Sequence, residues 1–309
     1  MKDCEVCKAR LSNTFAAREM MLGFRDEFEY GICSNCGTIQ ILSEPESIAA
    51  YYPPYYYSFI QEVPKLKPLP LMKRLVKDSR MKKMYKASEN DLLKWLRPLG
   101  ILPSNKILDI GCGTGRYICE LFNFGFQNVH GADKFISGEI DYGYGVKVFQ
   151  RDLSELQKEN YDLLMMHHVF EHMAEPLDEL KKSHALLKKN GHLIVRIPVV
   201  GKAWQKYNEN WIQLDAPRHF FIHTGESIAI LAKQAGFTIT NVVHDSNAFQ
   251  FWGSELYKRN IALVDQETKQ YRSPSDFFSE KVLAEYEDEA QRLNESKQGD
   301  QAVFYLKKI

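Results

Sequence analysis

Residues 106–116 read Lys106-Ile-Leu-Asp-Ile-Gly-Cys-Gly-Thr-Gly-Arg116. Ile107, Leu108 and Ile110 make a short apolar strand, and Gly111, Gly113 and Gly115 follow at once. Tyr117-Ile-Cys-Glu-Leu-Phe122 then predicts a helix. A strand that feeds a glycine-rich turn and a helix is where α/β proteins bind an adenosine-bearing cofactor. Glycine lacks Cβ, so the turn can be tight and the backbone can approach a ligand closely. The spacing is G-x-G-x-G and not the dinucleotide G-x-G-x-x-G. Asp109 stands two residues before the first glycine, where a carboxylate repels a pyrophosphate but suits a cationic group.

Further strands follow in order. Residues 128–133 end in Asp133, 20 residues after Gly113, the distance at which a strand-end carboxylate accepts bonds from ribose hydroxyls. Residues 146–153 end in Asp152 and Leu153, and 161–166 form a fourth strand. A helix is predicted over 177–187 with Gly191 ending it, then strands over 192–198, 238–243 and 302–306. Alternating strands and helices predict a Rossmann-like, doubly wound α/β fold with a mostly parallel, seven-stranded sheet.

These stretches resemble the class I methyltransferases that use S-adenosylmethionine (SAM). The likeness runs through Ile107–Gly115, Asp133, Asp152, Tyr161-Asp-Leu-Leu-Met-Met-His-His-Val-Phe-Glu-His-Met173, Leu186-Leu-Lys-Lys-Asn-Gly-His-Leu-Ile-Val195 and Ala235-Gly-Phe237. It implies that Asp109, Gly111, Gly113 and Gly115 meet the methionine part of SAM, that Asp133 binds the ribose, and that Asp152 and Leu153 meet the adenine.

The chain has 309 residues, 40 basic and 40 acidic. Charges that cancel give no basic excess for neutralising nucleic-acid phosphates. The start, Met1-Lys-Asp-Cys-Glu-Val-Cys7, is polar, and no apolar run approaches the ~20 residues of a membrane span. The expectation is a cytoplasmic protein with reduced cysteines.

Four of the six cysteines form two pairs, Cys4-x-x-Cys7 and Cys33-x-x-Cys36. Two such knuckles can set four thiolates tetrahedrally around a structural zinc. The 25 residues between the pairs make a long loop, and 28–32 and 38–42 alternate as two hairpin strands would. The remaining two, Cys112 and Cys119, read as packing residues. The predicted divisions are a zinc ribbon (1–45), a Tyr/Pro-rich joint and helical linker (46–100), a SAM-binding core (101–246) and a C-terminal extension with the last strand (247–309). The joint contains Tyr51-Tyr-Pro-Pro-Tyr-Tyr-Tyr-Ser-Phe59, read either as packing or as a lid in which Tyr56 and Tyr57 meet substrate. Pro64, Pro68 and Pro70 stiffen the linker, and 71–85 and 88–96 read as amphipathic helices.

Ligands of open α/β sheets bind beyond the carboxyl ends of the strands. His167-His-Val-Phe-Glu-His172 follows the fourth strand, and Trp211-Ile-Gln-Leu-Asp-Ala-Pro-Arg-His-Phe220 follows the fifth. His219 is the candidate general base, with His168 or His172 across the acceptor site, and a pKa near neutrality is expected of it. His168 is also placed to face the transferred methyl and Arg218 to hold a substrate phosphate or carboxylate; Glu171-His172 resembles the Glu-His pair common in the methyltransferases, which implies that Glu171 shapes the acceptor site. Thr224 is a helix cap. The Asp-x-Pro-Arg-His string and the ribbon-joint-core plan resemble the sugar C- and O-methyltransferases. The expected activity is methyl transfer to a small polar acceptor, a nucleotide-linked sugar or a precursor of a surface glycan or secondary metabolite. Two other classes remain open at this stage: an RNA methyltransferase that reads RNA with its ribbon, and a non-catalytic SAM-binding protein.

Overall fold

The computed structural model describes residues 2–60, 62–67, 83, 88–158 and 160–309. The helix expected over 71–85 and the prolines Pro68 and Pro70 lie outside the described residues, Lys83 apart. In chain order the strands are β1 (Leu11–Arg18), β2 (Glu27–Cys33), β3 (Ile39–Ile41), β4 (Lys106–Ile110), β5 (Asn128–Ala132), β6 (Ile140–Gly143), β7 (Val146–Phe149) and β8 (Tyr161–His167). They continue with β9 (Leu187–Pro198), β10 (Phe221–Ile222), β11 (Phe237–His244) and β12 (Gln301–Lys308).

The main sheet has eight strands in the order β11-β12-β9-β8-β4-β5-β7-β6. All seven expected strands are present. The eighth, β6, forms an antiparallel hairpin with β7 through Tyr144 and Gly145, both at positive φ. Strands β9, β8, β4, β5 and β7 run parallel, and β12 inserts antiparallel between β9 and β11. Alternation sorts the side chains onto two faces. Leu108, Ile110, Leu164, Met166, Leu193, Val195 and Phe304 share one core, and Ile107, Leu163, Met165, Ile194, Val303 and Tyr305 share the other. The helix Arg116–Asn123 covers the second face through Ile118, Leu121 and Phe122. The helix Pro176–Leu186 ends earlier than Gly191, because strand β9 already begins at Leu187.

A second sheet has the order β1-β2-β3-β10. Its first three strands belong to the cysteine-bearing N-terminus, whereas β10 lies downstream, just after His219. Phe221 pairs with Gln40 and Ile222 with Ile39. Cys4, Val6, Leu11, Cys33 and Cys36 sit in the same core as β8 and β9. Another core joins the ribbon's Phe28 and Tyr30, the joint's Tyr51 and Tyr56, Trp211, and Phe251 and Leu256 of the helix Phe249–Lys258. The ribbon is therefore built into the molecule, and its sheet ends on the loop that carries the candidate base.

Candidate active site

The glycine turn leaves the carboxyl end of β4. Gly111 N–H donates to Ala132 O at 2.8 Å and Gly113 N–H to Asp133 Oδ2 at 2.9 Å. Gly111 has φ +65°, and a Cβ there would lie 2.5 Å from Val169, so this turn packs directly on the segment after β8. Gly113 has φ +54°, and the nearest atom a Cβ would meet is Ser58 O at 3.6 Å. The loop is thus supported on one side and open on the other, under the tyrosine-rich joint. Asp109 is buried, and burial followed by the charge of Asp133 raises its carboxyl well above the usual range. A buried carboxyl of this kind gains most from a cationic partner. Asp152 caps its own short turn, accepting from Ser154 N–H at 3.0 Å, and Leu153 contributes its side chain to the core.

The segment after β8 turns at His168, which has a φ of +54°. Glu171 follows in the short helix Phe170–His172 and is 0% exposed. Neither of its carboxylate oxygens carries a hydrogen bond. His168 Nδ1 is 3.3 Å from Oε1, off the hydrogen-bonding direction, and His219 Nε2 is 3.9 Å from it. Burial would raise this carboxyl, but the contact with His168 and the nearby His172 and His219 outweigh it and hold Glu171 at about 2. One nitrogen of His172, one of His219 and a Glu171 oxygen lie within 4.8 Å of one another.

His219 Nδ1–H donates to Gln213 O at 2.8 Å, and His172 Nδ1–H to Arg218 O at 2.8 Å. The rings stand edge to face at 4.6 Å. Burial first, then His172, lowers His219 to about 4, despite Asp215 and Glu171. His219 is therefore neutral at neutral pH, and the expected near-neutral titration is corrected by its burial.

Arg218 is corrected as well. It is 0% exposed and its fork is fully engaged. Nε and Nη2 grip Asp215 at 2.9 and 2.6 Å, Nη2 reaches Glu19 at 2.8 Å and Nη1 meets Tyr51 O at 3.3 Å. It ties ribbon, joint and loop together and presents nothing to a substrate.

Sequence reasoning missed Arg196 and Asp245. Arg196 Nη1 donates to His168 Nε2 at 2.7 Å and Nε to Asp245 Oδ2 at 2.6 Å, with Trp95 stacked 4.7 Å from the guanidinium. The signal was an arginine inside the apolar run of β9. Tyr52 was missed too. Its hydroxyl is 3.2 Å from His172 Nδ1. Tyr56 is buried against Tyr52 and Tyr57, with centroids at 4.9 and 4.6 Å, and burial pushes the Tyr57 phenol up to about 12.

At the ribbon tip Cys4 and Cys36 sulfurs are 3.7 Å apart and Cys7 and Cys33 sulfurs 3.4 Å apart. Zinc–sulfur bonds of ~2.3 Å in a tetrahedron put sulfurs roughly 3.8 Å apart. The two knuckles close alike. Lys8 N–H donates to Cys4 O and Gly37 N–H to Cys33 O, with φ of +61° and +69°.

A family model described as a methyltransferase domain matches residues 80–242, just over half of the chain. The chain belongs to this family. It is a SAM-dependent methyltransferase of Rossmann-like fold. Among solved structures it is similar to a SAM-dependent methyltransferase, possibly acting on histamine, from Thermotoga maritima (19% identity, 75% of this chain and 94% of that one, TM-score 0.43). It is also similar to the 1,6-didemethyltoxoflavin-N1-methyltransferase of Burkholderia thailandensis (13%, 91% and 95%, 0.44). A third is a putative sarcosine dimethylglycine methyltransferase from Galdieria sulphuraria (14%, 80% and 94%, 0.46). No curated protein matches the chain. No helix among the described residues of the methyltransferase is long and apolar enough to cross a membrane.

Proposed function

We propose that this methyltransferase acts in the cytoplasm on a small, hydroxyl-bearing acceptor, foremost a nucleotide-linked sugar or a precursor of a surface glycan or secondary metabolite. The observation that carries this reading is a cluster in which hydrogen-bond acceptors outnumber donors. Glu171 has two unpartnered oxygens, and His172 and His219 keep a nitrogen without a proton. Such a cluster suits hydroxyl groups, each of which brings a proton to give. Asp109 and the Gly111, Gly113 and Gly115 turn would hold the methionine end of SAM, Asp133 the ribose, and Asp152 with Leu153 the adenine. SAM, when bound, supplies the electrophilic methyl group. The chain's own residues align the acceptor and draw off its proton towards the Glu171–His172–His219 cluster. Val169, which touches Gly111, joins that cluster to the cofactor loop. Tyr52, Tyr56 and Tyr57 roof the site and keep water out. Cys4, Cys7, Cys33 and Cys36 would hold a structural zinc, in keeping with the division into ribbon, joint, core and extension.

The test is methyl transfer from radiolabelled SAM to a panel of sugar nucleotides and to bulk RNA. Label entering a sugar nucleotide is expected. Label entering RNA, or SAM bound by calorimetry with no transfer to any acceptor, would overturn the reading.

A further inference from the structure

We infer that Glu171, His172 and His219 form a second metal site, for a divalent transition-metal ion held by two imidazoles and one carboxylate. The inference rests on the reading of this cluster as the acceptor site. Hydrogen bonding separates its histidines. His168 receives Arg196 Nη1–H on Nε2, so its proton sits on Nδ1 and it has no lone pair to offer. His172 and His219 each give Nδ1–H to a backbone carbonyl, which leaves Nε2 as a free lone pair. A carbonyl behind the remote nitrogen is the arrangement that fixes metal-ligating histidines.

The third ligand shows the same need. Glu171 is fully buried, and neither oxygen has a well-formed hydrogen bond, the nearest donor, His168 Nδ1–H, standing 3.3 Å from Oε1. A buried carboxylate so weakly paired is stabilised by a cation. The three ligand atoms lie within 4.8 Å of one another, against roughly 3.4 Å for nitrogen and oxygen ligands ~2.1 Å from a tetrahedral ion, so side-chain movement of about 1.4 Å completes it. Three protein ligands leave coordination positions open. An acceptor hydroxyl bound there would have its pKa lowered and would release its proton to water, with His219 serving as ligand in place of base.

Mn²⁺ is a suitable probe, because thiolates prefer zinc and the ribbon can be kept zinc-loaded. Titration of zinc-loaded protein, followed by electron paramagnetic resonance, should show one bound Mn²⁺ per chain. Glu171→Gln and His219→Gln should each weaken binding about 100-fold, while His168→Asn, which tolerates the positive φ, should retain it. Calorimetry of SAM on each variant reports that it has folded. Mn²⁺ remaining free in solution, or bound equally well by a folded Glu171→Gln, would overturn the inference. Methyl transfer by protein holding only the ribbon zinc would also overturn it, and would leave the methyltransferase reading standing.

Discussion

Position alone suggested that His219 would titrate near neutrality, and burial removes that property. A ring with 5% of its surface exposed loses hydration of its charged form, and His172 beside it adds to the loss. In metal-free protein the His219 ring should therefore titrate near pH 4, read by nuclear magnetic resonance, with no change through neutrality. His219→Asn should bind SAM as the wild type does and turn over roughly 10²–10⁴ times more slowly, read by calorimetry and steady-state kinetics. Arg218 makes the opposite case. Its residue type was legible in the sequence but its employment was not, because its partner Glu19 lies 199 residues away. Removing one member of a buried ion pair costs about 3–5 kcal/mol. Arg218→Met should lower denaturant stability by that order, and Arg218→Lys should leave the acceptor KM unchanged. A raised KM in a fully stable Arg218→Lys would return Arg218 to the substrate. The glycine turn and Asp133 were legible because their spacing is local. Arg196, Asp245 and Tyr52 reach the site only through the fold.

At the scale of elements, the sequence marked those with strong local signals. Thr224 caps the helix Gly225–Gln234 as expected, accepting from Ser227 N–H at 3.0 Å. Strands β1 and β10 carried no such signal. β1 does not alternate in burial, and β10 has only two residues. Yet β10 changes the meaning of the ribbon. It joins the ribbon sheet through β3, Tyr30 Oη–H donates to His219 O at 3.1 Å, and Thr224 Oγ1–H donates to Cys36 O at 2.7 Å. A zinc in the knuckles would hold the His219 loop from behind. Cys7→Ser should thus lose zinc and lower both the melting temperature and turnover, with SAM affinity retained. Elemental analysis, thermal melts and calorimetry check the three parts. A folded, zinc-free variant with full turnover would separate the ribbon from the chemistry.

At the scale of the whole molecule, buried titratable groups of two kinds give stability a pH optimum. Burial lowers His219 and His223 to about 4, and raises Asp300 to about 7. Between about pH 4 and 6.5 the unfolded chain binds protons on both histidines that the folded chain refuses, so their effect is to raise stability as pH rises. Asp300 acts the other way. Its folded form keeps a proton that the unfolded carboxyl has lost, so its contribution is present below the unfolded pKa and fades up to about pH 7. His167, lowered by burial, acts with these two histidines, and Asp109, raised by burial, acts with Asp300, so three histidines outweigh two carboxyls and stability should rise from pH 4 to about 6. Below pH 4.5, Glu171 adds to the acid loss as its carboxylate, held at about 2, is protonated. These groups sit in different parts of one body: His219 and His223 flank β10, and Asp300 accepts from Trp211 Nε1–H at 2.9 Å beside the C-terminal strand. Because the ribbon shares a sheet and a core with the rest, the loss should come as one cooperative transition. Calorimetric melts from pH 4 to 8 should show a single peak with its highest midpoint near pH 6. His223→Asn should flatten the acid side, since Asp300 and Asp109 then cancel the two histidines left, His219 and His167. A separate early peak for the ribbon, or a midpoint still rising steeply above pH 7, would contradict this account.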